Sequence, residues 1–115
     1  MNLLTTTHRT RLLNEGEKAA ADPRHDPFPV VKLFSPDAGA TWLLAWIQPE
    51  NPNIAFGLCD LGIGCPELGI VRLSEIADIQ GFLGQAVQRD RFWKATQPLS
   101  AYTNAAEAAG RIVNL

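Results

Sequence analysis

Four glycines, Gly57, Gly62, Gly64 and Gly69, fall within thirteen residues, between two apolar segments that read as strands. Glycine weakens regular structure, so such a cluster marks backbone that needs positive φ or close approach to a neighbouring segment. Pro66 and two acids, Asp60 and Glu67, share the turn region. A shaped loop joining two antiparallel strands is the reading that fits. The loop does not match a phosphate loop, because no Gly-Lys-Ser/Thr closes it and a strand rather than a helix follows.

Punctuation elsewhere sets the remaining elements. Thr6 or Thr7 caps a first helix that runs to about residue 21, with Leu12, Leu13 and Ala19 or Ala20 as its apolar stripe. Gly16 weakens that helix by about 1 kcal/mol relative to alanine. A proline-rich connector over residues 22–29 stops it. Strands are expected over residues 30–34, 40–47, 54–59 and 68–73. In the second of these, Trp42, Leu44 and Trp46 share one face and Leu43, Ala45 and Ile47 the other. Both faces are apolar, which predicts a central, covered strand. Ser74 caps a short helix with Glu75 in its first turn, ending near Gly81 or Gly84. Residues 91–94 read as a short edge strand, and residues 98–113 as a last helix with Ser100 at its cap. The order predicts one globular α+β domain over residues 1–115. Its antiparallel sheet is a meander of four to five strands, with the N- and C-terminal helices packed together on one face.

Charge narrows the partners. The chain of 115 residues has a net charge of -2, which argues against nucleic-acid binding driven by bulk charge. Residues 26–84 hold two basic and seven acidic residues, whereas residues 85–115 hold four basic and two acidic. No stretch approaches the eighteen or so apolar residues of a membrane span, so no membrane partner is expected. The apolar start of residues 1–4 is too short for a signal core and is broken by Thr5, Thr6 and Thr7. A cytoplasmic protein with two free thiols, Cys59 and Cys65, is the expectation.

Four constellations are candidates for chemistry or binding. Asp60 and Glu67, if they faced each other across the glycine loop, would bind a divalent cation or act as acid and base; alternatively each caps a backbone amide. Cys59, Cys65, His8 and His25 are zinc ligand types, but without Cys-x-x-Cys spacing, and no cofactor or metal is expected. A nucleophilic Cys59 with His25 and Asp60 would need a low thiol pKa. Arg89, Arg91, Trp93 and Lys94 mix basic and aromatic residues in one short run. Too few cations lie there for strong nucleic-acid binding, but Arg and Trp on an edge strand suit a protein partner.

The motifs in residues 31–36 (Val-Lys-Leu-Phe-Ser-Pro), 41–44 (Thr-Trp-Leu-Leu), 55–62 (Ala-Phe-Gly-Leu-Cys-Asp-Leu-Gly) and 66–69 (Pro-Glu-Leu-Gly) give the chain its resemblance. From about residue 8 to the end it resembles an uncharacterised domain-of-unknown-function family of short bacterial proteins, often encoded on plasmids and phages. It departs from that pattern at Trp46, Cys65 and Ile70, where members more often carry an acid, a residue other than cysteine, and an aromatic. The resemblance implies a non-enzymatic accessory protein of a mobile element. Such a protein would act by protein–protein binding, for example as an inhibitor of a bacterial defence complex. Its partner is expected to be a host or mobile-element protein, met through Asp60, Glu67, Arg89, Arg91, Trp93 and Lys94. The alternative is a small metal-assisted hydrolase using Asp60 and Glu67.

Overall fold

Thr5, rather than Thr6 or Thr7, starts the first helix, α1 (Thr6–Ala21). Its hydroxyl accepts the His8 N–H at 3.1 Å, and the Thr5 N–H donates back to His8 Nδ1 at 3.3 Å. This reciprocal box satisfies two helix-end amides, with histidine in the place glutamate usually takes. The computed structural model describes residues 3–81 and 83–115; the first two residues of the apolar start and Phe82 lie outside them.

Four strands follow the connector: β1 (Val31–Phe34), β2 (Thr41–Gln48), β3 (Asn51–Asp60) and β4 (Glu67–Arg72). Then come a short helix α2 (Leu73–Asp78), a two-residue strand β5 (Gln88–Arg89) and the last helix α3 (Leu99–Ala109). All pairings are antiparallel and the order across the sheet is β4-β3-β2-β1-β5. The α+β expectation therefore holds, with β1 to β4 as the meander and β5 returning to pair with β1.

The expectation that both terminal helices share one face does not hold. Leu12 of α1 and Leu73 and Ile76 of α2 pack with Val31, Leu33, Trp42, Leu44 and Ile47 on one side. Leu99, Tyr102 and Ala106 of α3 pack with Leu43, Ala45 and Leu58 on the other. Sheet and helices thus make three layers, and β2, buried on both faces, is the middle of the core.

A bulge in β2 also changes which residues share a face. Leu44 pairs with Gly57 and Trp46 with Phe56, so Ala45 is an extra residue on the β2 side. Beyond it the alternation shifts by one. Ile47 joins Trp42 and Leu44 on the α1 side, and Trp46 joins the α3 side. Strict period-two reading assigns both residues to the wrong face.

Other boundaries moved for local reasons. Helix α3 ends at Ala109 because Gly110 takes the left-handed conformation at φ 74°. Ser100 does not cap it; the Ser100 N–H and hydroxyl both donate to the Asp26 carboxylate of the proline-rich connector. Ser74 is likewise no cap. Its N–H donates to Asn53 Oδ1 at 2.9 Å, tying α2 to β3. Residues 91–94 are not a strand; they form a turn and loop after β5.

Candidate functional site

The glycine loop is built for backbone geometry. Gly62 and Gly64 both have positive φ, at 80° and 86°. Gly57 lies so close to β2 that a Cβ would overlap the Leu43 carbonyl oxygen. Asp60, at the end of β3, is only 5% exposed. Its Oδ1 accepts the Gly62 N–H and its Oδ2 the Ile112 N–H, each at 2.9 Å. One carboxylate thus holds the loop in place and ties down the chain that leaves α3. Both acceptor atoms face backbone amides, so Asp60 is a structural fastener of the kind aspartate commonly provides.

Glu67 is exposed and pairs in register with Cys59, the residue before Asp60. Neighbours along a strand point to opposite faces, so Asp60 and Glu67 diverge across the sheet. In the turn region residues 61–65 and Glu67 are exposed, whereas Asp60 and Pro66 are buried.

The cysteines do not assemble with the histidines. Both are free thiols, Cys59 half-buried and Cys65 exposed. Burial, and next the carboxylate of Glu67, push the Cys59 thiol above its ordinary pKa, the opposite of what an activated nucleophile needs. His25 Nε2 is bonded to Glu15 across the α1–connector junction. Among the described residues no three His, Cys, Asp or Glu side chains come together as a metal would require.

The basic and aromatic run is more revealing than its sequence. Arg89 is held, donating to the Leu3 carbonyl at 2.8 Å. Past it the chain turns, with Asp90 Oδ1 accepting the Phe92 N–H at 3.1 Å. The Thr96 N–H then donates to the Tyr102 hydroxyl at 2.9 Å, and Trp93 packs tilted against the Tyr102 ring at 5.9 Å. These contacts anchor residues 93–96 on α3 and bring Arg91, Trp93 and Lys94 beside His8, Arg11 and Phe28. Together they line a cleft of about 430 Å³. The sequence singled out one wall of this cleft only; the spacing of His8 and Arg11, three apart on one helical face, was the signal for the other.

A second surface went unread. Trp46, Phe56 and Ile70 are successive partners across β2, β3 and β4 and form one transverse row on the α3 side. The Trp46 and Phe56 rings stack at 4.3 Å, while Ile70 is 65% exposed and Leu68, two residues along the same face, is 44% exposed. Strand β4 is a sheet edge, and the loop leading to it presents Leu61 and Ile63, also exposed. Exposed acids lie on β4 (Glu67) and on α2 after it (Glu75 and Asp78), with Arg72 as the nearby cation.

Residues 3–113 match a family model described as a protein of unknown function, DUF2958. The chain belongs to that family. The match spans the three layers, so the glycine loop, the β4 edge and the basic cleft all lie within the family's domain. No curated protein and no solved structure matches the chain. No described helix is long and apolar enough to cross a membrane.

Proposed function

We propose that this DUF2958 protein is a non-enzymatic binding protein that docks a partner protein along β4. The observation that supports this is the apolar row Trp46–Phe56–Ile70, half-buried at its two rings and exposed at Ile70, beside an unpaired edge of six residues. Water against such a row is unfavourable, and an open edge offers a line of backbone donors and acceptors. An extended segment added there would satisfy the edge and cover Leu68 and Ile70 at once. The exposed acids around the edge favour a segment that is apolar at alternate positions and flanked by lysine or arginine. Glu67 keeps the partner-facing role expected of it, whereas Asp60 is part of the frame.

The resemblance read from the motifs supports the biological setting of this proposal. The protein is carried by a plasmid or phage, acts in the cytoplasm, and blocks a host defence complex by occupying one of its surfaces. The reading of Asp60 and Glu67 as a metal-assisted hydrolase needs both carboxylates in one cleft, and they lie on opposite faces of the sheet.

The test is capture from the native host with the tagged full chain and with Ile70→Lys. Ile70 is exposed, so the variant should fold. Wild type is expected to retain a specific protein that Ile70→Lys loses, and the β4 amides should become protected from hydrogen exchange in the complex. Capture unchanged by Ile70→Lys would overturn the assignment. So would sedimentation showing that the edge is filled by a second copy of the chain. The setting has its own test: a mobile element carrying the gene should survive better in a host with the defence system than one without the gene.

A further inference from the structure

The cleft between α1 and the loop after β5 sits apart from the β4 edge and is unlike it chemically. Arg11 comes from α1, and Arg91 and Lys94 from the loop; all three are exposed. Among the described residues none of the three makes an ion pair. Cations gathered without acids raise the local potential at a cost, unless an anion completes the cluster. The first turn of α1 contains no acid, so the positive end of its dipole is also uncompensated beside them.

His8 reports that potential. Partial burial, and next the charges of Arg89 and Arg11, hold its pKa below the usual value. Its Nδ1 accepts the Thr5 N–H, so the neutral ring carries its proton on Nε2 as a donor. Two aromatic side chains complete the walls. Phe28 is 50% exposed, and Trp93 borders this cleft on one side and, with Lys32 and Lys94, a neighbouring cleft on the other. Asp90 belongs to that neighbouring cleft.

Cations with a hydrogen-bond donor suit phosphate oxygens, and flat aromatic walls suit a planar base. We propose that this cleft binds a nucleoside monophosphate, with the phosphate at Arg11, Arg91 and Lys94 and the base against Phe28 and Trp93. A cleft of about 430 Å³ takes one nucleotide, not a strand. The overall charge of -2 and the acidic opposite edge also disfavour a long polyanion.

Calorimetry on the full chain tests this with adenosine and guanosine monophosphates, the two nucleosides, inorganic phosphate and a single-stranded 12-mer. At least one monophosphate is expected to bind about tenfold or more tighter than its nucleoside and than phosphate. Arg91→Gln and Lys94→Gln, both at exposed positions, should each weaken it about tenfold while leaving the melting temperature unchanged. No heat from either monophosphate at millimolar concentration overturns the proposal. So does binding that neither substitution alters. Phosphate binding as tightly as the monophosphates would mean that the aromatic walls take no base. A 12-mer that binds far more tightly than either monophosphate would make the cleft part of a nucleic-acid surface instead.

Discussion

At the scale of single residues, His8 links the fold to pH. Its Nδ1 must be unprotonated to accept the Thr5 N–H that completes the α1 cap. Protonation turns that acceptor into a donor and sets two donors against each other. Burial, with Arg89 and Arg11, already holds the folded-state pKa below 6.5. The unfolded chain therefore takes up the proton first as pH falls, and the folded state loses relative stability. The contribution is complete above about pH 6.5 and is lost as pH falls through the lower, folded-state pKa. Glutamine at the same position can complete the cap without titrating. The melting temperature of wild type should fall more between pH 7.5 and pH 5 than that of His8→Gln. Equal slopes for the two would show that the cap does not sense protonation. An NMR titration of the His8 ring, giving a midpoint below the ordinary histidine value, is the direct check.

At the scale of elements, Gly16 shows how far local propensity carries and where packing takes over. By propensity alone, alanine at this position strengthens α1 by about 1 kcal/mol. In the fold Gly16 is buried, and a Cβ there would fall on the Ile47 carbonyl oxygen of β2. The glycine is what lets the helix lie directly on the central strand. Gly16→Ala is therefore expected to destabilise by about 2 kcal/mol, a fall of roughly 8 °C in melting temperature. Gly69→Ala is the control: nothing lies within 4 Å of a Cβ there, and the melting temperature should stay within a degree or two. If both behave alike, α1 does not sit on β2 as closely as the geometry requires. Gly16 looks like a flaw until its neighbour across the layer is known, and several other features share that limit. The four long strands were legible because their apolar runs are bounded by proline and glycine. The bulge at Ala45 was not, since alanine suits either face and only the pairing with Gly57 and Phe56 reveals the slip. Ser100 read as a cap because serine usually is one; that it donates to Asp26 is a contact 74 residues away in sequence. The basic cleft was half legible for the same reason. Its loop wall is continuous in sequence, and its helix wall arrives through tertiary packing.

At the scale of the whole molecule, the sheet separates two surfaces of opposite character. The β4 edge is apolar and ringed by Glu67, Glu75 and other acids. The β5 side carries Arg11, Arg91 and Lys94 around the proposed nucleotide cleft. The order β4-β3-β2-β1-β5 puts four inter-strand spacings between them, about 19 Å. That exceeds both the screening length near physiological salt, about 8 Å, and the roughly 7–10 Å within which substitutions usually couple. The joining layer is buried core: β2 is covered on both faces and Trp42 in it is 2% exposed. With that separation and a buried strand between them, no linkage between the two edges is expected. Ile70→Lys should abolish partner capture and leave the affinity for a nucleoside monophosphate within about twofold. Arg91→Gln should weaken the nucleotide about tenfold and leave capture unchanged, and the double variant should show both losses with no interaction energy beyond about 0.5 kcal/mol. The measurement is a double-mutant cycle read by calorimetry for the nucleotide and by quantitative capture for the partner. Loss of both readouts from either single variant, with the melting temperature unchanged, would mean that partner and nucleotide share one composite surface. The separation of the two edges would then be wrong, even with the fold intact.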